Sequence, residues 1–99
     1  MFKISMENVE LFTQLEITHY EFNSYIDILA DMRNNNTNYN ENYWRIWKEY
    51  INILGEYETL KEKLRVEFIV PIVGEGYGGN WEANFDEGIV YIYEPNNLI

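Results

Sequence analysis

Residues 81–93 read Trp81-Glu82-Ala83-Asn84-Phe85-Asp86-Glu87-Gly88-Ile89-Val90-Tyr91-Ile92-Tyr93, two alternating stretches around a turn signal. Trp81, Ala83 and Phe85 alternate with polar residues, the period-2 pattern of a half-buried strand. Asp86-Glu87-Gly88 reads as a type I turn with glycine in the left-handed position, a three-residue hairpin loop. On the returning strand Val90 and Ile92 share one face, while Ile89, Tyr91 and Tyr93 share the other. One face must cover a core, and the other is a second buried layer or an exposed adhesive patch. Glu94 and Pro95 close the strand.

Upstream, Leu64, Val66, Phe68 and Val70 alternate with Arg65 and Glu67, which predicts a further strand. Pro71 lacks a backbone donor and places that strand's end at an edge or bulge. Gly74-Glu75-Gly76-Tyr77-Gly78-Gly79-Asn80 then reads as a flexible loop between strands, so residues 65–93 form a three-stranded antiparallel meander.

Before residue 64 the period is helical. Thr18 followed by Glu21 fits a capping box, and Ile17 with Phe22 fits the hydrophobic staple across it. Phe22, Tyr25, Ile26, Leu29 and Met32 continue one apolar face, and the asparagine-rich run at 34–38 stops it, giving a helix at about 19–33. A second helix starts after an Asn40 N-cap and runs to about 63, with Tyr43, Trp47, Tyr50, Leu54 and Tyr57 on its main face. Two flanking rows widen that face, Trp44 with Ile51 and Ile46 with Ile53 and Leu60. Gly55 predicts a bend or a close contact within it. Residues 1–17 fit both periods, and the strand reading is preferred there, adding an N-terminal strand. The fold class is therefore α+β: an antiparallel two-helix pair packed on a small antiparallel sheet, in a single domain over residues 1–99.

Composition narrows the function classes. Without cysteine there are no disulfides, thiolate nucleophiles or Cys-ligated metals, and His19 is the only histidine. The Ca²⁺-loop pattern of alternating acidic and asparagine positions is absent, so no metal and no cofactor is expected. His19 reads as an ordinary first-turn residue, and no serine has a nucleophile-elbow context, so the chain reads as no enzyme. The glycines at 74–79 lie between predicted strands, contain Glu75 and lack a following lysine, which argues against a phosphate cradle. No signal-peptide core and no run of about 18 apolar residues is present, and the expectation is a cytoplasmic protein of a bacterial host. Abundant asparagine, isoleucine, tyrosine and glutamate suit an AT-rich genome of a bacterium or its phage.

Charge is the most informative property. Seventeen acidic residues oppose seven basic ones, a net charge of −10. That disfavours direct binding to nucleic acid or to an anionic membrane. Residues 66–99 hold Glu67, Glu75, Glu82, Asp86, Glu87 and Glu94 with no lysine or arginine, while residues 33–65 are nearly neutral. Carboxylates arrayed on a sheet can oppose a basic surface and displace the nucleic acid it holds. The expected function is a non-enzymatic acidic inhibitor that blocks a basic surface of a nucleic-acid-handling protein, of the phage anti-defence kind (anti-CRISPR or anti-restriction). Its contacts would be Glu67, Glu75, Glu82, Asp86, Glu87 and Glu94, with Tyr77, Trp81, Tyr91 and Tyr93 as apolar anchors. The alternatives are an immunity protein neutralising a co-encoded nuclease toxin, a sponge for a nucleotide signal, and a structural homodimer.

Overall fold

The computed structural model describes residues 1–34, 41–77 and 79–94. In chain order the elements are β1 (Phe2–Ser5), α1 (Glu10–Asn34), α2 (Glu41–Leu64), a π-helical turn (Arg65–Ile69), α3 (Val70–Val73), β2 (Trp81–Asn84) and β3 (Ile89–Ile92). Two packed helices and a small antiparallel sheet make the α+β arrangement expected from the pattern. The chain forms two compact units, one of Met1–Thr13 with Glu62–Ile99 and one of Gln14–Lys61.

The first unit holds the sheet, in the order β1-β3-β2 with both pairs antiparallel. Val90 stands opposite Ile4 on one side and Ala83 on the other, and Tyr91 stands between Lys3 and Glu82. The hairpin of residues 81–93 forms as its pattern predicts, with Gly88 at φ 68° donating its N–H to the Asn84 carbonyl at 3.0 Å. Its loop is four residues, 85–88, rather than three, because Asn84 pairs with Ile89. Met6 extends the sheet's edge, its N–H donating to the Gly88 carbonyl at 2.8 Å. The unit's fully buried side chains are Met6, Leu64, Ile69, Val90 and Ile92. Phe12 packs on Phe85 with ring centroids 5.1 Å apart. Burying each such aliphatic side chain contributes about 1.5–3 kcal/mol.

The third strand is therefore β1 and not residues 65–70, which are helical. Alternation puts Leu64, Val66, Phe68 and Val70 on one face, but Leu64 and Ile69 are buried and Val66 is 47% exposed. The buried pair stands five positions apart, the i to i+5 spacing of a π turn. The Val70 N–H accordingly bonds the Arg65 carbonyl. Pro71 supplies the physical reason. In an α-helix its ring would meet the carbonyl four residues back, and a wider turn just upstream gives it room. Arg65 also holds the helical path through two hydrogen bonds to Glu62, at 2.6 and 3.0 Å, which keep the Glu62 carboxyl below its usual range. Gly74, at φ 87°, ends the helical segment, so a helix rather than a strand precedes the glycine loop.

The first helix begins at Glu10, well before the expected start at residue 19. Asn8 takes φ 64°, and the Val9 carbonyl accepts from the Phe12 and Thr13 N–H groups at 3.1 Å, which opens the helix there. Thr18 is not a cap. It is buried mid-helix, its hydroxyl 3.1 and 3.0 Å from the Gln14 and Leu15 carbonyls, a local bond that threonine forms inside helices as well as at their ends. The period-2 match over residues 9–17 is coincidental, because Phe12 and Leu15 are buried while Ile17 is exposed.

The second unit is the helix pair. The His19 and Phe22 rings meet Tyr57 at 5.9 and 4.8 Å, and nearer the other end Leu29 and Arg33 line a groove with Trp47 and Tyr50. The helices therefore run antiparallel, as expected. Leu29 and Tyr43 are buried on their faces, whereas the row of Trp44 and Ile51 is exposed. Gly55 answers no close contact, since a Cβ built on it meets nothing within 4 Å. The asparagine stop and the Asn40 cap fall largely on residues 35–40, outside the described residues.

The π turn separates two substitutions that a strand would treat alike. Leu64→Ala is expected to cost about 2–5 kcal/mol in denaturant unfolding. Val66→Ala is expected to stay within about 0.5 kcal/mol. Equal losses at both positions would restore the strand.

Candidate functional site

The strand order gives β3 two chemically distinct faces. Register sets Val90 and Ile92 with Ile4, Ala83 and Trp81 on the buried side. The opposite side carries, row by row, Lys3, Tyr91 and Glu82, and then Ser5, Ile89 and Asn84. Tyr93 extends that face, its N–H bonded to the Asn80 carbonyl at 2.9 Å.

Hydrogen bonds tie the tyrosines of this face to its carboxylates. The Tyr91 hydroxyl donates to Glu87 Oε2 at 2.7 Å, and the Tyr93 hydroxyl donates to Glu82 Oε2 at 3.1 Å. Glu87 is held in turn by Asn84, whose side-chain amide donates to Oε1 at 2.8 Å and whose Oδ1 accepts the Glu87 N–H at 3.0 Å. The hairpin turn and the face are thus one network. Acceptance by Glu87 raises the Tyr91 phenol above its ordinary value, with desolvation and the Glu87 charge adding to it. Acceptance by Glu82 does the same for Tyr93. Each phenol donates its only O–H to a neighbour within the chain, so beside Lys3 the face offers carboxylate oxygen and aromatic ring outward.

Of the ten residues singled out from sequence, the structure brings Glu82, Glu87, Tyr91 and Tyr93 into this network. Asp86 is exposed in the adjoining turn, and Glu94 lies just beyond β3, 3.3 Å from the α-amino group of Met1. Trp81 sits on the other face of the sheet, opposite Ile92. Tyr77 is half-buried and folded back on its own loop. Its hydroxyl donates to the Asn80 carbonyl at 3.2 Å, and its ring crowds Gly79 so closely that a Cβ there would collide with it and with the Tyr93 carbonyl. Glu75 lies in the turn after Gly74, close enough to Arg65 to favour that guanidinium's charge. Glu67 is exposed on the π turn rather than on a strand.

The sheet is not free of cations, as residues 66–99 taken alone suggest. Pairing of β1 with β3 brings Lys3 across from Tyr91, its Nζ 5.5 Å from the ring centroid, and sets the chain's α-amino group beside Glu94. Lys3 and Asn84 are the members that sequence reading missed. The signal for Lys3 was the alternation of Phe2, Ile4 and Met6. Even so, the first unit carries nine acidic residues against three basic ones, and every acidic residue of the chain except Glu16 is exposed.

Among the described residues no three acidic or histidine side chains gather as metal ligands. His19 lies inside α1, in an aromatic cluster with Tyr20, Phe22 and Tyr57, rather than in a first turn. Among the described residues no helix is long and apolar enough to cross a membrane. No protein-family model matches the chain, and no curated protein or solved structure is significantly similar to it.

The tyrosine–carboxylate bonds are open to spectroscopy. Ultraviolet titration is expected to show the Tyr91 and Tyr93 phenols, like those of Tyr25 and Tyr57, ionising above the ordinary phenol value, and Glu82→Gln with Glu87→Gln should bring only Tyr91 and Tyr93 down. Because the folded values are raised, this contribution to stability is present below the unfolded phenol value and is lost as pH rises through the folded one. Unchanged titration in the double variant would remove the network.

Proposed function

We propose that the chain is a non-enzymatic acidic inhibitor that covers a basic surface of a nucleic-acid-handling protein, as phage anti-defence proteins of the anti-CRISPR or anti-restriction kind do. The observation that carries this reading is the outer face of β3. There Tyr91 and Tyr93 hold Glu82 and Glu87 by hydrogen bonds, with Asp86 exposed beside them. Carboxylates positioned by bonds to rigid rings lose less side-chain entropy on meeting a guanidinium or ammonium than free ones do. The rings add flat apolar area of the type enriched at protein interfaces.

Net charge supports the same reading. A charge of −10 on 99 residues repels phosphate and attracts basic surfaces over a Debye length of about 10 Å in 0.1 M salt. The mechanism is stoichiometric occlusion: the acidic face docks where nucleic acid would lie, and the partner's lysines and arginines exchange phosphate for carboxylate.

Two measurements on one captured partner test this. Immobilised full-length protein should retain a basic, nucleic-acid-binding protein from host lysate at low salt and release it as salt rises. The purified partner should then lose its nucleic acid when the chain is added in equimolar amount. Glu82→Gln with Glu87→Gln should weaken that competition about tenfold, the sum of two exposed charge contacts of roughly 0.7 kcal/mol each. Competition that persists undiminished in the double variant, or that ignores salt, would contradict the assignment to this face.

A further inference from the structure

The second unit has a groove of its own, of about 760 Å³, between α1 and α2. Ile17, Leu60 and the bare backbone of Gly55 line it, and Thr59, beside them, donates its hydroxyl to the Gly55 carbonyl at 2.9 Å. Its wall is mostly apolar, and the charged residues lining it are Glu21 and Glu56, with no basic residue among them. The ring contacts of His19 and Phe22 with Tyr57 set the register of the antiparallel helices. In that register Glu21 and Glu56 stand level across one end, and Ile17 and Leu60 stand level further along. The groove is thus acidic at one end and uncharged at the other, where Ile17 and Leu60 lie with Gln14 one turn beyond.

With one carboxylate on each wall of an apolar groove and no basic residue in the lining, a cation laid between the walls is favoured. The groove's length is also informative. Residues 14 to 21 of α1 cover about 10 Å at 1.5 Å per residue, the span of an i, i+4, i+7 row of anchors on a helix laid alongside. Gly55 keeps the space open, for a Cβ there would meet nothing within 4 Å.

We infer that this groove receives a basic amphipathic helix of the partner, its apolar row lying over Ile17, Gly55 and Leu60 and a lysine or arginine of the same helix lying between Glu21 and Glu56. The inference rests on the proposed function for the partner's basic character, and it names a second contact on that partner, separate from the outer face of β3. Apolar anchoring adds specificity that a charged face alone lacks, since exposed charge pairs discriminate weakly among basic surfaces.

The test uses the full chain and a fluorescent helical peptide of leucine and lysine, with the leucines on one face, read by anisotropy. Wild type should bind it, while oligolysine and a leucine–glutamate counterpart should bind at least tenfold more weakly. Gly55→Leu fills the groove and should cut affinity for the leucine–lysine peptide at least tenfold. Its melting temperature should be equal or higher, because leucine favours a helix over glycine. Glu21→Gln with Glu56→Gln should weaken the same peptide, whereas Glu82→Gln with Glu87→Gln should not. Equal binding of the peptide by wild type and Gly55→Leu, or equal binding of oligolysine and the leucine–lysine peptide, would overturn the groove assignment. Those results would leave the reading of the β3 face standing, because that reading is tested by competition with nucleic acid. Loss of competition in the groove variants alone, with the β3 variants unaffected, would overturn the β3 face instead.

Discussion

The pairing of β1 with β3 is the constraint on which the rest of the first unit depends. Two strands alone make a hairpin that is marginal in water, and a third strand on the far side of β3 turns it into a sheet with a central strand. As the central strand, β3 has its backbone groups paired on both sides, so Val90 and Ile92 can be withdrawn fully from water without leaving orphan donors. The period of the strand then obliges Tyr91 and Tyr93 to face outward. Burial on one side and display on the other are a single event.

That display has an electrostatic cost. Glu82, Asp86, Glu87 and Glu94 gather within a small sheet, and their mutual repulsion opposes folding. Local bonds answer it in part: the two phenols donate to Glu82 and Glu87, the Asn84 amide donates to Glu87, and the terminal ammonium lies beside Glu94. The α2 side chains contribute a different arrangement, with apolar groups such as Trp44 and Ile51 left exposed and Gly55 opening the groove beside Glu56.

Much of this was legible in the residues, for reasons that also explain the failures. The hairpin of 81–93 could be read because strand period, turn chemistry and a left-handed glycine all agree there. The helix pair could be read because its apolar positions recur over many turns. Residues 65–70 misled because Leu64, Val66 and Phe68 alternate with Arg65 and Glu67 while belonging to a widened helical turn, and the buried pair Leu64 and Ile69 is visible only once the turn is known. Thr18 misled because a threonine bonding back to carbonyls inside a helix and a threonine capping one share the same sequence context. Four members of the site network, Glu82, Glu87, Tyr91 and Tyr93, were found from charge and aromatic content. Lys3 was not, since its place beside Tyr91 depends on strand order, which no local pattern encodes.

Cross-strand nuclear Overhauser contacts in the isotope-labelled chain decide which segment flanks β3 opposite β2. The expected result is backbone contacts of Lys3 with Tyr91 and of Ile4 with Val90, together with helical sequential contacts through Val66 and Phe68. Backbone contacts from Val66 or Phe68 to the strand of Tyr91, with none from Lys3 or Ile4, would contradict it and dissolve the outer face as described.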